Sequence, residues 1–172
     1  WQPNPNYSPK DSTDVLDRWL LSRLHSTITI ATKNLEKFST SHVTKTIEEF
    51  VNDLSTWYIR RTRDRSDNHD LLFYCFRQLI ILIAPIAPFI AETLFQNLEK
   101  HPGSSVHLQD WPKFDTSLVN KALEVQMTEV RNICQLIHAQ RQLAGIKIRQ
   151  PLSRVTIATP SAISDELLSL IS

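Results

Sequence analysis

The chain has 172 residues, 41% of them hydrophobic and only two of them glycine, with 19 Lys and Arg against 18 Asp and Glu. That length suits one ordinary domain with some tail, and the apolar share with so little glycine excludes a disordered chain in favour of packed helices. A formal net charge of +1 excludes a global field that would draw in nucleic acid, so any basic surface has to be local.

Residues 1–11, WQPNPNYSPKD, hold three of the nine prolines and show no periodicity, as a linker or arm would. Ser12 or Thr13 can then cap a helix whose first turn carries Asp14 and Asp17. Leu16, Trp19 or Leu20, Leu24, Ile28, Ala31, Leu35 and Phe38 follow at three-and-four spacing, on the order of 36 Å of helix. FSTSH (38–42) breaks it. A second helix carries Val43, Ile47, Phe50, Leu54 and Trp57 on one stripe, and a third starts near Asp67. That third helix is apolar almost all round, which predicts the central and most buried position. Pro85 and Pro88 predict a break, because each removes an amide donor and clashes with the preceding turn. IAETLFQNLEK resumes the helix, and a loop follows in which Trp111 can pack back.

The last long helix is predicted over about Ser117 to Ala144, with Gly145 as its C-cap. RVTIAT (154–159) alternates like a strand, and SDELLSLI opens a helix that is cut short. The pattern predicts an all-α, antiparallel up-and-down helical bundle with a truncated α/β tail. Its parts are a linker at 1–12, the bundle at 13–150 and the start of an α/β unit at 151–172. A chain that begins with Trp and ends inside an apolar pattern reads as a piece of something longer.

Several chemistries are absent. No glutamate has a histidine three residues on, as a di-iron carboxylate bundle requires. Two glycines cannot build a phosphate-cradling loop. The six histidines have no metal spacing, and Cys75 and Cys134 belong to no ligand pair, so two isolated thiols suit a reducing cytosol. The best apolar run, LIILIAPIAPFIA (79–91), falls short of the roughly 18 residues of a membrane span and is broken by proline. Neither a catalytic nor a metal site is expected within these residues.

The positive charge is concentrated. Residues 60–65 hold four arginines against one aspartate, and 131–154 holds five basic residues and no acid. At about 100° per residue, with Leu54 marking the core, Trp57 and Tyr58 flank that direction, Arg61 and Arg65 fall close to it, Arg60 lies to one side and Arg63 points away. Burying a guanidinium there unpaired costs several kcal/mol, so either the bundle ends near residue 59 or carboxylates meet these side chains. In an antiparallel bundle the end of helix two lies beside Asp14 and Asp17, and beside Arg141, Lys147 and Arg149. Two readings stand together: an Arg–Asp network for Arg61 and Arg65, and a basic rim taking phosphates through Arg60, Arg63, Lys147 and Arg149.

NDLSTWYIRRTRDR (52–65) resembles the second anticodon-domain helix of the isoleucyl-tRNA synthetase family. LDRWLLSRL (16–24) is similar to the helix that opens that domain. IAPIAPFIAETLFQNL (83–98) resembles the Ala-Pro-x-x-Pro-Phe-x-x-Glu segment shared by the isoleucyl, valyl, leucyl and methionyl enzymes of class I. SVHLQDWP (105–112) and AGIKIRQPLSRV (144–155) resemble the loop and exit segment of the isoleucyl type.

The resemblance covers roughly residues 13–160 and implies the anticodon-arm-binding module of a cytoplasmic ligase that joins isoleucine to its tRNA using ATP and Mg. The two signatures of that family's ATP site are absent here, so the chemistry is expected upstream, in a catalytic domain that is the module's partner beside tRNA. The residues expected to contact tRNA are Arg60, Arg61, Arg63, Arg65, Arg141, Lys147 and Arg149. The end with Asp14, Arg61 and Lys147 is expected to face the catalytic body, and the end with Ser39–His42 and the 98–116 loop to lie nearer the anticodon. A purely structural bundle, or the corresponding module of a valyl or leucyl enzyme, are the alternatives.

Overall fold

A computed structural model describes residues 4, 7–99, 103–147, 150–159 and 162–171. The chain divides into two compact units, Trp1–Val119 and Asn120–Ser172.

In the first unit, α1 spans Val15–Leu35. Its cap is Asp14 rather than Ser12 or Thr13: the carboxylate accepts the Leu16 and Asp17 amides at 2.8 and 3.3 Å. The buried stripe runs Leu16, Trp19, Leu20, Leu24, Ile28 and Ala31 as the spacing requires. The helix stops three residues short of Phe38. There the backbone turns with φ 55° at Phe38, and the Ser39 amide returns to the Asn34 carbonyl at 2.9 Å. Phe38 is thus not part of the stripe; its ring is 91% exposed.

Helix α2 begins at Thr40 and is α-helical to Asn52. It continues through a π-helical stretch, Asp53–Tyr58, and closes with one α-helical segment, Ile59–Arg61. The four-residue link makes α1 and α2 an antiparallel hairpin, tied along its length by Arg23 to Asp53 at 2.8 Å and by the Tyr58 hydroxyl to Asp17 at 2.7 Å.

Helix α3 spans His69–Ile83, and α4 spans Pro88–Glu99. The prolines act as predicted. Pro88 opens α4, where a missing amide proton costs nothing, and the Ile86 and Ala87 amides both return to Ile83 across the break. Ile80, Ile81, Ala84, Ala91, Phe95 and Val106 form a compact apolar cluster around this bend. The most buried helix is α1, not α3: twelve of its 21 residues are buried against six of 15. The excess includes Ser22, His25, Ser26 and Thr27, polar residues that hydropathy assigns to solvent.

The link from α4 to the end of this unit is irregular but held. Glu92 accepts hydrogen bonds from the Ser105 hydroxyl and the Val106 amide, both at 2.9 Å. Trp111 packs back as anticipated, its indole N–H donating to Thr32 at 2.9 Å.

The second unit holds α5, Lys121–Leu143, capped by Asn120 and ended by Gly145 at φ 69°. A short α6, Asp165–Leu168, buries Leu167. The strand anticipated at 154–159 is not formed. Those residues have no regular structure, and no strand among the described residues offers an edge, without which an extended segment cannot satisfy its backbone. The fold is all-α.

Candidate nucleic-acid interface

The arginine run sits at the C-terminal end of α2, and the π-helical stretch decides where each side chain goes. A turn closed by i to i+5 bonds holds about one extra residue, so the helix falls roughly 100° behind an uninterrupted α-helix. The bond from the Ile59 amide to the Leu54 carbonyl is one such closure. The core direction therefore passes from Leu54 to Tyr58 and then to Thr62, all three buried. Trp57 and Arg61 are rotated outward together.

Arg61 is consequently not aimed at the core, a correction to the uniform 100° projection. Its guanidinium carbon lies 3.8 Å from the centre of the Trp57 ring, a stacked cation–π arrangement on an exposed surface. Arg60 and Arg63 are exposed, and neither guanidinium forms an ion pair among the described residues.

Arg65 is different. Its Nη1 and Nη2 donate to the two oxygens of Asp17 at 3.0 and 2.9 Å, while Nε and Nη2 reach Asp67 at 2.9 and 3.2 Å. Asp14 lies 3.2 Å from Nη1. All three nitrogens of the fork face carboxylates, the arrangement in which guanidinium binds best. The Asp67 and Asp17 carboxylates hold the Arg65 proton more firmly than usual, and Arg65 in turn holds the Asp67 carboxyl below its ordinary range. Tyr58 completes the cluster: its buried hydroxyl donates to Asp17 and accepts from Asn68 at 3.3 Å. Burial, and then the bond to Asp17, push its ionisation far above that of a free phenol.

The candidates in the second unit are described separately. Lys147 is exposed. Arg141 is half-buried and donates through Nη2 to the Lys147 carbonyl at 3.0 Å and to the Gln150 carbonyl, which pins the chain after α5. Arg149 lies outside the described residues.

The sequence reading named Asp14 and Asp17 as partners for this end of α2. Asp67, Tyr58 and Asn68 have no part in that network on the sequence pattern alone, nor has Trp57 a stacking role. The outward placement of Trp57 and Arg61 as a pair depends on the π turn, which leaves no compositional mark.

Among the described residues no group of three or more His, Cys, Asp or Glu could hold a metal ion. No helix among them is long and apolar enough to cross a membrane. Chemically, the surface at the end of α2 offers two guanidiniums in no ion pair among the described residues and a third stacked on an indole, suited to phosphate oxygens and planar groups.

Residues 17–157 match the family model described as the anticodon-binding domain of tRNA ligase. The chain is 40% identical over 164 residues to an isoleucine–tRNA ligase of Thermobifida fusca, covering 89% of this chain and 15% of that protein. It is 38% identical to that of Clostridium kluyveri, covering 90% and 16%, and 35% identical to that of Thermus thermophilus, covering 94% and 17%. The chain thus spans about one-sixth of the length of the curated relatives it matches.

Proposed function

The chain belongs to the family of anticodon-binding domains of tRNA ligases, and on that premise we propose that it is the module with which an isoleucine–tRNA ligase holds the anticodon arm of its tRNA. The whole protein would use ATP and Mg to join isoleucine to tRNA in the cytoplasm. A catalytic domain elsewhere in the protein would perform both chemical steps and be the second partner of this module, which performs no chemistry itself.

One observation carries the assignment to this surface. Arg60 and Arg63 stand exposed with guanidiniums in no ion pair among the described residues, respectively five and two positions from an arginine locked in carboxylates. Arg65 fixes the segment, and its neighbours are left for phosphates. Phosphate contacts of this kind set register and orientation without reading sequence. We assign Arg60 and Arg63 to the tRNA backbone, with Arg61 and Lys147 as further cationic contacts. Arg65 contributes by holding the end of α2 in place, and Arg141 by shaping the chain that carries Lys147.

The test is salt dependence. Replacing Arg60 and Arg63 together by Ala should weaken tRNA binding and reduce the slope of log K against log salt by about two, one for each lost phosphate contact. In the whole enzyme, isoleucine activation by ATP without tRNA should be unaffected. An unchanged slope removes these two residues from the interface.

A further inference from the structure

The opposite end of the α1–α2 hairpin holds a residue that folding does not account for. Phe38 takes a left-handed conformation, φ 55°, which is strained for a bulky side chain and is ordinarily given to Gly or Asn. Its ring is 91% exposed, so the strain is not offset by burial. Hydrogen bonds fix the turn on both sides: the Phe38 amide donates to Leu35 at 2.9 Å, and the Ser39 amide to Asn34 at 2.9 Å. Ser39 also pairs with His42 Nδ1 at 2.8 Å, which orients an exposed imidazole beside the ring's turn. Lys33, Lys37 and Lys45 are all exposed on the flanking turns, against Glu36.

We propose that Phe38 is a stacking platform for an unpaired RNA base, with His42 and the flanking lysines Lys33, Lys37 and Lys45 engaging the adjoining backbone. The proposal rests on the tRNA-binding reading above and adds the residue on which a loop base would stack. An exposed aromatic in a cationic setting is the composition that single-stranded recognition uses: bases splay out of loops and stack on aromatic rings. A protein partner would want an apolar rim around Phe38, and the neighbouring surface positions 36, 37, 40, 41 and 42 are Glu, Lys, Thr, Ser and His. The hairpin is about 21 residues long, so this tip lies on the order of 30 Å from the arginine run. One end can track a stem while the other reaches its loop.

The experiment compares three RNA probes on this chain: an anticodon stem-loop, the same stem-loop with abasic loop positions, and the stem alone as a blunt duplex. Phe38→Ala should weaken binding to the intact stem-loop by about fivefold or more, with the salt slope unchanged, and should leave the other two probes unaffected. Phe38→Trp should retain binding, and Phe38→Leu should lose it, because an aliphatic side chain has no π face. Phe38→Gly should lose binding while raising the melting temperature by about 2–4 °C through relief of the backbone strain.

Equal affinities of the wild type and Phe38→Ala for the intact stem-loop overturn the proposal. So does full binding of the intact stem-loop by Phe38→Leu, which would show that apolar bulk suffices and no aromatic face is used. The parent reading is judged separately by Arg60→Ala with Arg63→Ala on the same probes. If that pair flattens the salt slope and Phe38→Ala does nothing, only the stacking role fails.

Discussion

Arg65 and Asp17 meet in a two-pronged ion pair, 3.0 and 2.9 Å, across 48 residues of sequence. It joins the first turn of α1 to the segment that follows α2. Asp17 is only 6% exposed and also accepts the Tyr58 hydroxyl, so the carboxylate is withdrawn from water and depends on these partners.

Removing one side of such a pair strands the other. Arg65→Ala should destabilise the chain by about 2–3 kcal/mol, because Asp17 then lacks a counter-charge. The melting temperature should fall by roughly 5–10 °C for a chain of this size. Arg65→Lys keeps the charge without the planar fork and should recover only part of the loss. A double-mutant cycle with Asp17→Asn, read by thermal unfolding, should show coupling above about 1 kcal/mol.

Acidification should act through His25. This imidazole is buried in α1, where Nδ1 accepts the Asp115 amide at 3.0 Å, so Nε2 carries the proton toward the Tyr74 hydroxyl at 3.3 Å. Burial lowers its pKa below the ordinary value, and the nearby Asp115 opposes this only in part. The unfolded chain then takes up a proton before the folded one does. The contribution is therefore complete above about pH 6.5 and declines as the pH falls below that value toward the folded pKa. Melting temperatures measured between pH 7 and 5 should drop, and His25→Gln should flatten that dependence while lowering stability at pH 7. The Asp115 and Asp67 carboxyls, both held down by hydrogen-bonded partners, would release their share only in more acidic solution.

The π turn makes an unusual deletion tolerable. Removing Ser55, an exposed residue inside it, should convert the segment to regular α-helix and leave Tyr58, Thr62 and Arg65 facing as they do now. Removing Thr44 from the α-helical part should instead rotate everything beyond it by about 100° and abolish the fold. Circular dichroism and thermal melts of the two deletions separate these outcomes.

Much of the fold is legible from apolar spacing alone, because Leu16 to Ala31 and Val43 to Leu54 each keep one face. Three things are not. The end of α1 depends on the backbone reversal at Phe38, and a phenylalanine gives no sign of positive φ. The depth of α1 is hidden by Ser22, Ser26 and Thr27, whose small side chains permit close packing while scoring as polar. The orientation of the arginines depends on a change of helical pitch at Asp53–Tyr58, which hydrogen bonding sets and composition does not. The carboxylate partners Asp14 and Asp17 were legible because antiparallel connectivity brings the start of one helix to the end of the next. Asp67, two residues from Arg65, is not legible as its partner because in the pattern it stands at the opening of the next helix. RVTIAT shows the converse: alternation alone does not make a strand without a neighbouring edge.

Asp14 has two duties at one oxygen. Oδ1 accepts the Leu16 and Asp17 amides and also lies 3.2 Å from Arg65. Ordinary helix caps are interchangeable, with Asn, Ser and Asp all serving about equally. Here the exchange is not neutral, because Asn or Ser would keep the first turn closed yet withdraw a negative charge from the Arg65 guanidinium. The choice of amino acid at the opening of the first helix is thereby dictated by a side chain some fifty positions later, and the two ends of the segment must vary as a pair.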